Sequence, residues 1–284
     1  MLASDLDIAI YVAVLGSAFT NALWNSMVHS ESEKRHSIVT VMLLVEGALA
    51  LCALPFVTLP GRAAWGWLAG GTALRVAYTF VLLRAYARIE LSRIYPIARG
   101  TAPLVLAILG LALFGDRLGL RGTLAVLAIT TGVLTIARVD RRPLPHGHAL
   151  RYGAVLSLFI AGYSLVDARG VRASEDALGY AALAFLGEAI GFLGATFAAR
   201  RRFGLTLDAT VAKTGTVAGI LGTLSYLVAL WAFTRAPAAL VAALRETSVL
   251  FALFLARTAL REQVALRDWV GGVLIVAGAV SLRT

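Results

Sequence analysis

Hydrophobic positions in this chain come in runs of helix length rather than in the alternation of a half-buried strand. Ten such runs, bounded by charges, glycine or proline, cover about 6–28, 38–59, 64–86, 93–115, 119–138, 150–170, 177–199, 213–234, 237–259 and 268–283. About 20 apolar residues cross a hydrocarbon core, and unpaired backbone is costly there, so each run is expected to be a spanning helix. The expected fold is an all-α membrane protein with ten transmembrane helices. The polar stretches Ser30–Ser37, Arg138–Arg151 and Arg200–Lys213 are too short to be domains.

The runs also repeat. Residues 99–132 lie over 245–278 at a constant offset, with Arg99/Arg245, Thr101/Thr247, Leu120/Leu266, Arg121/Arg267 and Gly132/Gly278 identical and Asp116/Glu262 conservative. Glu46 and Glu188 each sit midway along the second span of a half, and Trp24 and Tyr163 hold similar places in the first. A repeat of five spans is odd, so two such halves, 1–140 and 141–284, insert with opposite orientation. Inverted repeats hold a substrate near mid-depth between halves in transporters.

Composition strengthens the membrane reading. Of 284 residues, 59% are hydrophobic and 15% charged, whereas soluble domains average about 25% charged. The net charge of +10 would suggest nucleic acid in a soluble protein, but here the basic residues lie mostly between the apolar runs, where they meet lipid phosphates. No nucleic-acid partner is expected. The lone Cys52 forms no internal disulfide, and no Cys/His spacing fits a metal or haem site, so neither metal nor cofactor is expected. Arg84, Arg88, Arg93, Arg138, Arg141, Arg142, Arg151, Arg200–Arg202 and Lys213 concentrate in the loops after odd-numbered spans, which by the positive-inside rule places both termini outside.

An ionisable side chain within a span is a functional-site hypothesis by default. Span 1 carries Asn21, Trp24 and Asn25 on one face, span 3 carries Arg75, Tyr78 and Thr79, and span 6 carries Tyr163 and Asp167. Span 8 adds Tyr226 and span 9 the pair Arg245 and Glu246. These residues either line a central aqueous cavity or bridge helices as interhelical hydrogen bonds. In span 4, Pro96 and Pro103 flank Gly100, so the ladder is expected to break where Arg99 projects, with Tyr95 one turn earlier. A forked guanidinium suits a carboxylate or phosphate. Arg99 and Arg245 are read as anion anchors, or as structural partners of Glu46 (for Arg99) and of Glu188 or Glu246 (for Arg245). Glu46, Asp167, Glu188 and Glu246 are expected to balance charge or carry protons. Asp167, followed by Arg169 and Arg172, lies either in the cavity or at the membrane edge. No nucleophile stands beside a base, so an enzyme is not expected.

Two five-span halves, each ending in a long apolar helix, a short charged turn (FGDRL at 114–118, LREQV at 260–264) and a Gly-rich last helix (TTGVL at 130–134, VAGAV at 276–280), resemble the EamA-type family of the drug/metabolite transporter superfamily. The resemblance implies a bacterial inner-membrane carrier that moves a small polar metabolite, such as an amino acid or organic acid, by alternating access, with export the usual direction. It also implies cytoplasmic termini, against the loop charges. Its smaller relatives offer an alternative, a lipid-linked-sugar flippase subunit or other partner-dependent component. The expected partners are the solute, the bilayer and protons as a coupling ion. With both halves in one chain a monomer suffices, a homodimer being the alternative.

Overall fold

Asp7 and Asp208 each stand just before an apolar run, and each caps a helix: Asp7 Oδ1 accepts from Ala9 N at 3.1 Å and Asp208 Oδ1 from Val211 N at 2.9 Å. The computed structural model describes residues 7–31, 33–86, 91–136, 146–198, 206–260 and 265–283. Among them it has α1 (Ile8–Ser30), α2 (Arg35–Ala53), α3 (Arg62–Tyr86), α4 (Leu91–Phe114), α5 (Leu120–Ile136), α6 (His146–Ala173), α7 (Ala177–Ala198), α8 (Ala209–Phe233), α9 (Ala238–Arg245), α10 (Ser248–Leu260) and α11 (Leu266–Ser281), and no strand. A short 3-10 turn, Leu54–Phe56, ends α2. Eight helical stretches, with α9 and α10 counted as one through Ala238–Leu255, are long and apolar enough to cross a membrane. Helices α5 and α11, at 17 and 16 residues, fall short of about 20.

Consecutive helices are not the principal neighbours. α1 packs on α8, α2 on α7 and α8, α3 on α6 and α7, α4 on α6, and α5 on α11. The two sequence halves therefore interleave. The tightest seam joins α5 to α11, where small residues bring backbones together: a Cβ on Gly132 would lie 2.6 Å from Gly271 O, and one on Gly278 2.9 Å from Ala125 O. Large side chains such as Leu124, Phe197, Ile220, Trp269 and Val273 face outward, as lipid contact requires.

Two elements differ from the sequence reading. α4 is one continuous helix through Pro96, Gly100 and Pro103, so the expected interruption at Arg99 does not occur. Its flanks explain this: Gly100 packs on Val133 of α5, Gly153 of α6 packs on Ile97, and Thr101 Oγ1 donates to Ile97 O at 2.7 Å. The break falls in span 9 instead, between α9 and α10. There Glu246 N donates to Ala243 O, Thr247 N to Leu244 O and Val249 N to Glu246 O, at 3.0, 3.2 and 3.0 Å. These are i→i−3 bonds, the pattern of a 3-10 passage.

Candidate functional site

Polar residues from eight helices meet in one cavity of about 170 Å³. α1 supplies Asn21, Trp24 and Asn25, α2 supplies Glu46, α3 supplies Arg75, Tyr78 and Thr79, and α4 supplies Arg99. Tyr163 enters from α6, Phe185 and Glu188 from α7, Ser225 and Tyr226 from α8, and Arg245 from the end of α9. The lining runs from mid-depth to Val28 and Arg35, at the end of the bundle that carries the basic loops. At that mouth Lys34 Nζ pairs with Asp208 Oδ2 at 2.7 Å. The hydrogen bond between them raises the Lys34 ammonium and holds the Asp208 carboxyl below its usual range.

The opposite end is shut. Val171, Tyr180, Leu230, Phe233 and Leu240 form a buried apolar cluster there. Arg172 clamps it, donating from Nε to Phe233 O at 2.7 Å and from Nη2 to Ala236 O at 2.8 Å. Arg169 Nη2 reaches Asp116 at 2.6 Å, tying α6 to the turn after α4, and Thr58 N donates to Asp176 Oδ2 at 3.0 Å.

Each buried cation has a defined setting. Arg75 donates from Nη1 to Asp167 Oδ2 at 2.9 Å, and its Nε stands 3.2 Å from Glu188 Oε2. Tyr180 and Tyr226 donate to the two Asp167 oxygens at 2.9 and 2.8 Å. Asp167 is 0% exposed, with Gly71 of α3 leaving room for its carboxylate. Arg99 Nη2 pairs with Glu246 Oε1 at 3.1 Å, not with Glu46. Arg245 donates to Ser225 Oγ at 3.3 Å and lies 5.5 Å from the Tyr226 ring centroid; it pairs with neither Glu188 nor Glu246. The partners expected for these arginines were therefore wrong, because a sequence shows depth but not which faces of α4, α9 and α2 meet.

The walls are aromatic. Tyr78, Tyr163 and Tyr226 form an edge-on chain with centroids 5.7 and 6.1 Å apart, and Phe185 extends it at 6.2 Å. Of the residues singled out in the sequence, Asn21, Trp24, Asn25, Glu46, Arg75, Tyr78, Arg99, Tyr163, Glu188, Tyr226 and Arg245 line the cavity. Asp167 stands behind Arg75, and Glu246 lines a small recess next to it with Arg99 and Arg245. The Tyr95 side chain lies outside the described residues, as do Glu262 and Gln263. Thr79 lines it too, on the face of α3 expected to carry it, while Ser225 and Arg35 line the cavity without having been singled out. Ser225 precedes Tyr226, and Thr79 lies one turn beyond Arg75, so the helical spacing carried a signal for both.

Such a bundle, crossing the bilayer many times and lined inside by charge, defines a multi-pass membrane protein. Residues 151–284 match the EamA-like transporter family, in keeping with the resemblance seen in the sequence. Curated proteins yield no match. The fold is similar to a protein of known crystal structure, with TM-score 0.74 and 16% identity over 96% of this chain and 94% of that one. At that identity the likeness speaks for the fold alone.

Proposed function

We propose that the protein is a secondary transporter that carries a small polar metabolite with an anionic group, an amino acid or organic acid, across the bacterial inner membrane by alternating access. The observation that carries this reading is the convergence of Arg75, Arg99 and Arg245 on one mid-depth cavity lined from both halves of the chain. Three guanidiniums inside a bilayer are expensive to keep. Arg245 and Arg99 serve as anchors for the anionic group; Asn21, Trp24, Asn25, Tyr78, Tyr163 and Tyr226 shape the chamber. Asp167, Glu188 and Glu246 balance the arginines. The mouth lies at the end of the basic loops, the cytoplasmic side by the positive-inside rule, which supports loading from the cytoplasm and export. That orientation puts the termini outside.

Alternating access asks for two related halves, and the α5–α11 seam supports them. Gly132 meets Gly271 and Ile275, while Gly278 meets Ala125 and Ile129. Each contact becomes the other when residues are exchanged at the offset of the sequence repeat, as a two-fold seam demands. The pairs α1·α8 and α3·α6 obey the same exchange. We therefore read the bundle as ten spans in two inverted five-helix repeats, 1–140 and 141–284, functional as a monomer. The flippase alternative calls for a basic lateral groove. The groove between α10 and α11 is lined by Leu250, Leu253, Phe254, Trp269, Val273 and Val276, with no basic residue among the described ones.

The test is flux in proteoliposomes loaded with a panel of radiolabelled amino acids and organic acids. At least one is expected to cross faster than in empty liposomes, and Arg245→Ala to abolish that flux. Equal leak from loaded and empty liposomes for the whole panel would overturn the reading. Proton coupling through Glu46 or Glu188 predicts faster flux under an imposed pH gradient; indifference to it removes the coupling and leaves the carrier.

A further inference from the structure

Next to the chamber lies a second void of about 10 Å³, which shares Arg99, Tyr163 and Arg245 with it and adds Ser164 and Glu246. The rest of its wall is apolar and includes Leu106, Ile160 and Phe233. Phe233 also belongs to the cluster that shuts the far end of the bundle, so the recess stands between the chamber and the seal. A void of this size has room for one water or one monatomic ion. An organic solute stays in the chamber.

Two guanidiniums face the recess against a single carboxylate. Arg99 Nη2 stands 3.1 Å from Glu246 Oε1. Arg245 reaches only the Ser225 hydroxyl, at 3.3 Å, and the Tyr226 ring. It pairs with no carboxylate among the described residues, and its buried Nε has no acceptor there. Arg75, with Asp167 and Glu188, forms a separate group outside the recess wall. A guanidinium keeps its proton in a protein, so the recess holds an excess of positive charge whether Glu246 is ionised or neutral.

The other polar groups of the wall are donors. Tyr163 and Ser164 are neighbours on α6, Ser164 is 5% exposed, and neither hydroxyl has a hydrogen-bond partner among the described residues. A hydroxyl can turn its proton towards an anion. Water in the recess would serve the hydroxyls and leave the charge uncompensated, which is strongly unfavourable for a buried group; a monatomic anion serves both. We propose that the recess is a halide site that holds chloride against the Arg245 guanidinium and the hydroxyls of Tyr163 and Ser164, with Arg99 offsetting Glu246. This inference goes beyond the carrier reading, because the ion is not the solute and sits on the sealed side of it.

The test is thermal unfolding of the full chain in lipid nanodiscs as sodium chloride replaces sodium gluconate at constant ionic strength, gluconate being too large for the recess. The midpoint is expected to rise with chloride and then level off, as binding to the folded state alone requires. Ser164→Ala and Tyr163→Phe each remove one hydroxyl and little volume, and each is expected to raise the half-saturating chloride concentration about tenfold. Arg245→Ala is expected to abolish the response. In crystals soaked in sodium bromide, the anomalous signal is expected between Arg245 and Ser164. Equal midpoints in chloride and gluconate would overturn the site and leave the recess to water. A response that all of these variants retain, or a bromide signal on the outer surface alone, would mark an adventitious ion only and overturn it too. Neither failure touches the carrier reading, which flux of the organic panel decides.

Discussion

Helix α4 and the α9–α10 pair are the two places where the sequence repeat puts a buried arginine into a span, and they solve the same problem differently. α4 has two prolines and a glycine and stays continuous; the stretch from Ala238 to Leu260 has no proline and comes apart at Glu246–Thr247. The neighbours account for the contrast. α4 lies along α6 and is clamped by α5, with Thr101 Oγ1 donating to Ser157 Oγ at 2.9 Å. α9 packs on α4, α5 and α1, whereas α10 packs on α1 alone among its principal contacts. A membrane helix tolerates a missing N–H where other groups cover the freed carbonyl. It unwinds where a buried charge must reach across to another helix, as Glu246 reaches Arg99.

The largest effect should come from cutting that link. Glu246→Ala leaves Arg99 without its carboxylate, and the loss is expected to be about 3–5 kcal/mol, read as a lower unfolding temperature in detergent. Next is Gly100→Ala on the continuous helix: the new methyl would meet Val133 Cγ1 at 2.8 Å, and overpacking of this kind costs about 1–3 kcal/mol. Thr247→Val removes the bond from Thr247 Oγ1 to Leu244 O, 2.7 Å long. About 1 kcal/mol of stability should go with it, while flux falls by more than stability does if the unwound turn works as a hinge. Pro103→Ala restores an N–H to a helix that is already unbroken, so stability should rise by no more than about 1 kcal/mol and flux should hold. Lost flux in Pro103→Ala together with normal flux in Thr247→Val would reverse the assignment of the hinge.

Smallest of all is the exposed Lys34–Asp208 pair at the mouth, which sets the baseline for the others. Because Asp208 titrates below its ordinary value in the folded protein, its contribution is present above the unfolded value of about 3.9 and fades as pH falls through the folded one. Thermal midpoints of the protein and of Lys34→Ala should converge in acid and also at high salt.

Fold class was largely legible in the sequence, because lipid enforces helices of a known length and the apolar runs record them. Their ends were less so: α2 begins at Arg35 and α8 at Ala209, before the apolar runs expected from 38 and 213, since a helix continues through polar residues once it leaves the lipid. The cavity's members were readable because a polar side chain in a span must face something other than acyl chains. Their pairings were not. Arg99 with Glu246, and Asp167 with Arg75, Tyr180 and Tyr226, depend on how α4 meets α9 and how α6 meets α3, α7 and α8. The misplaced break has the same origin: proline is a local mark, whereas the pull on Glu246 comes from another helix.

The Arg172 clamp has a consequence for the sealed end. Its acceptors are the peptide oxygens of Phe233 and Ala236, which take up no proton, and a guanidinium gives none up. The neighbouring fasteners at Asp116 and Asp176 rely on carboxylates. Replacing the Asp116 carboxylate would loosen α6 from the α4–α5 turn while leaving it bolted to the foot of α8, so the gate would yield on one flank only.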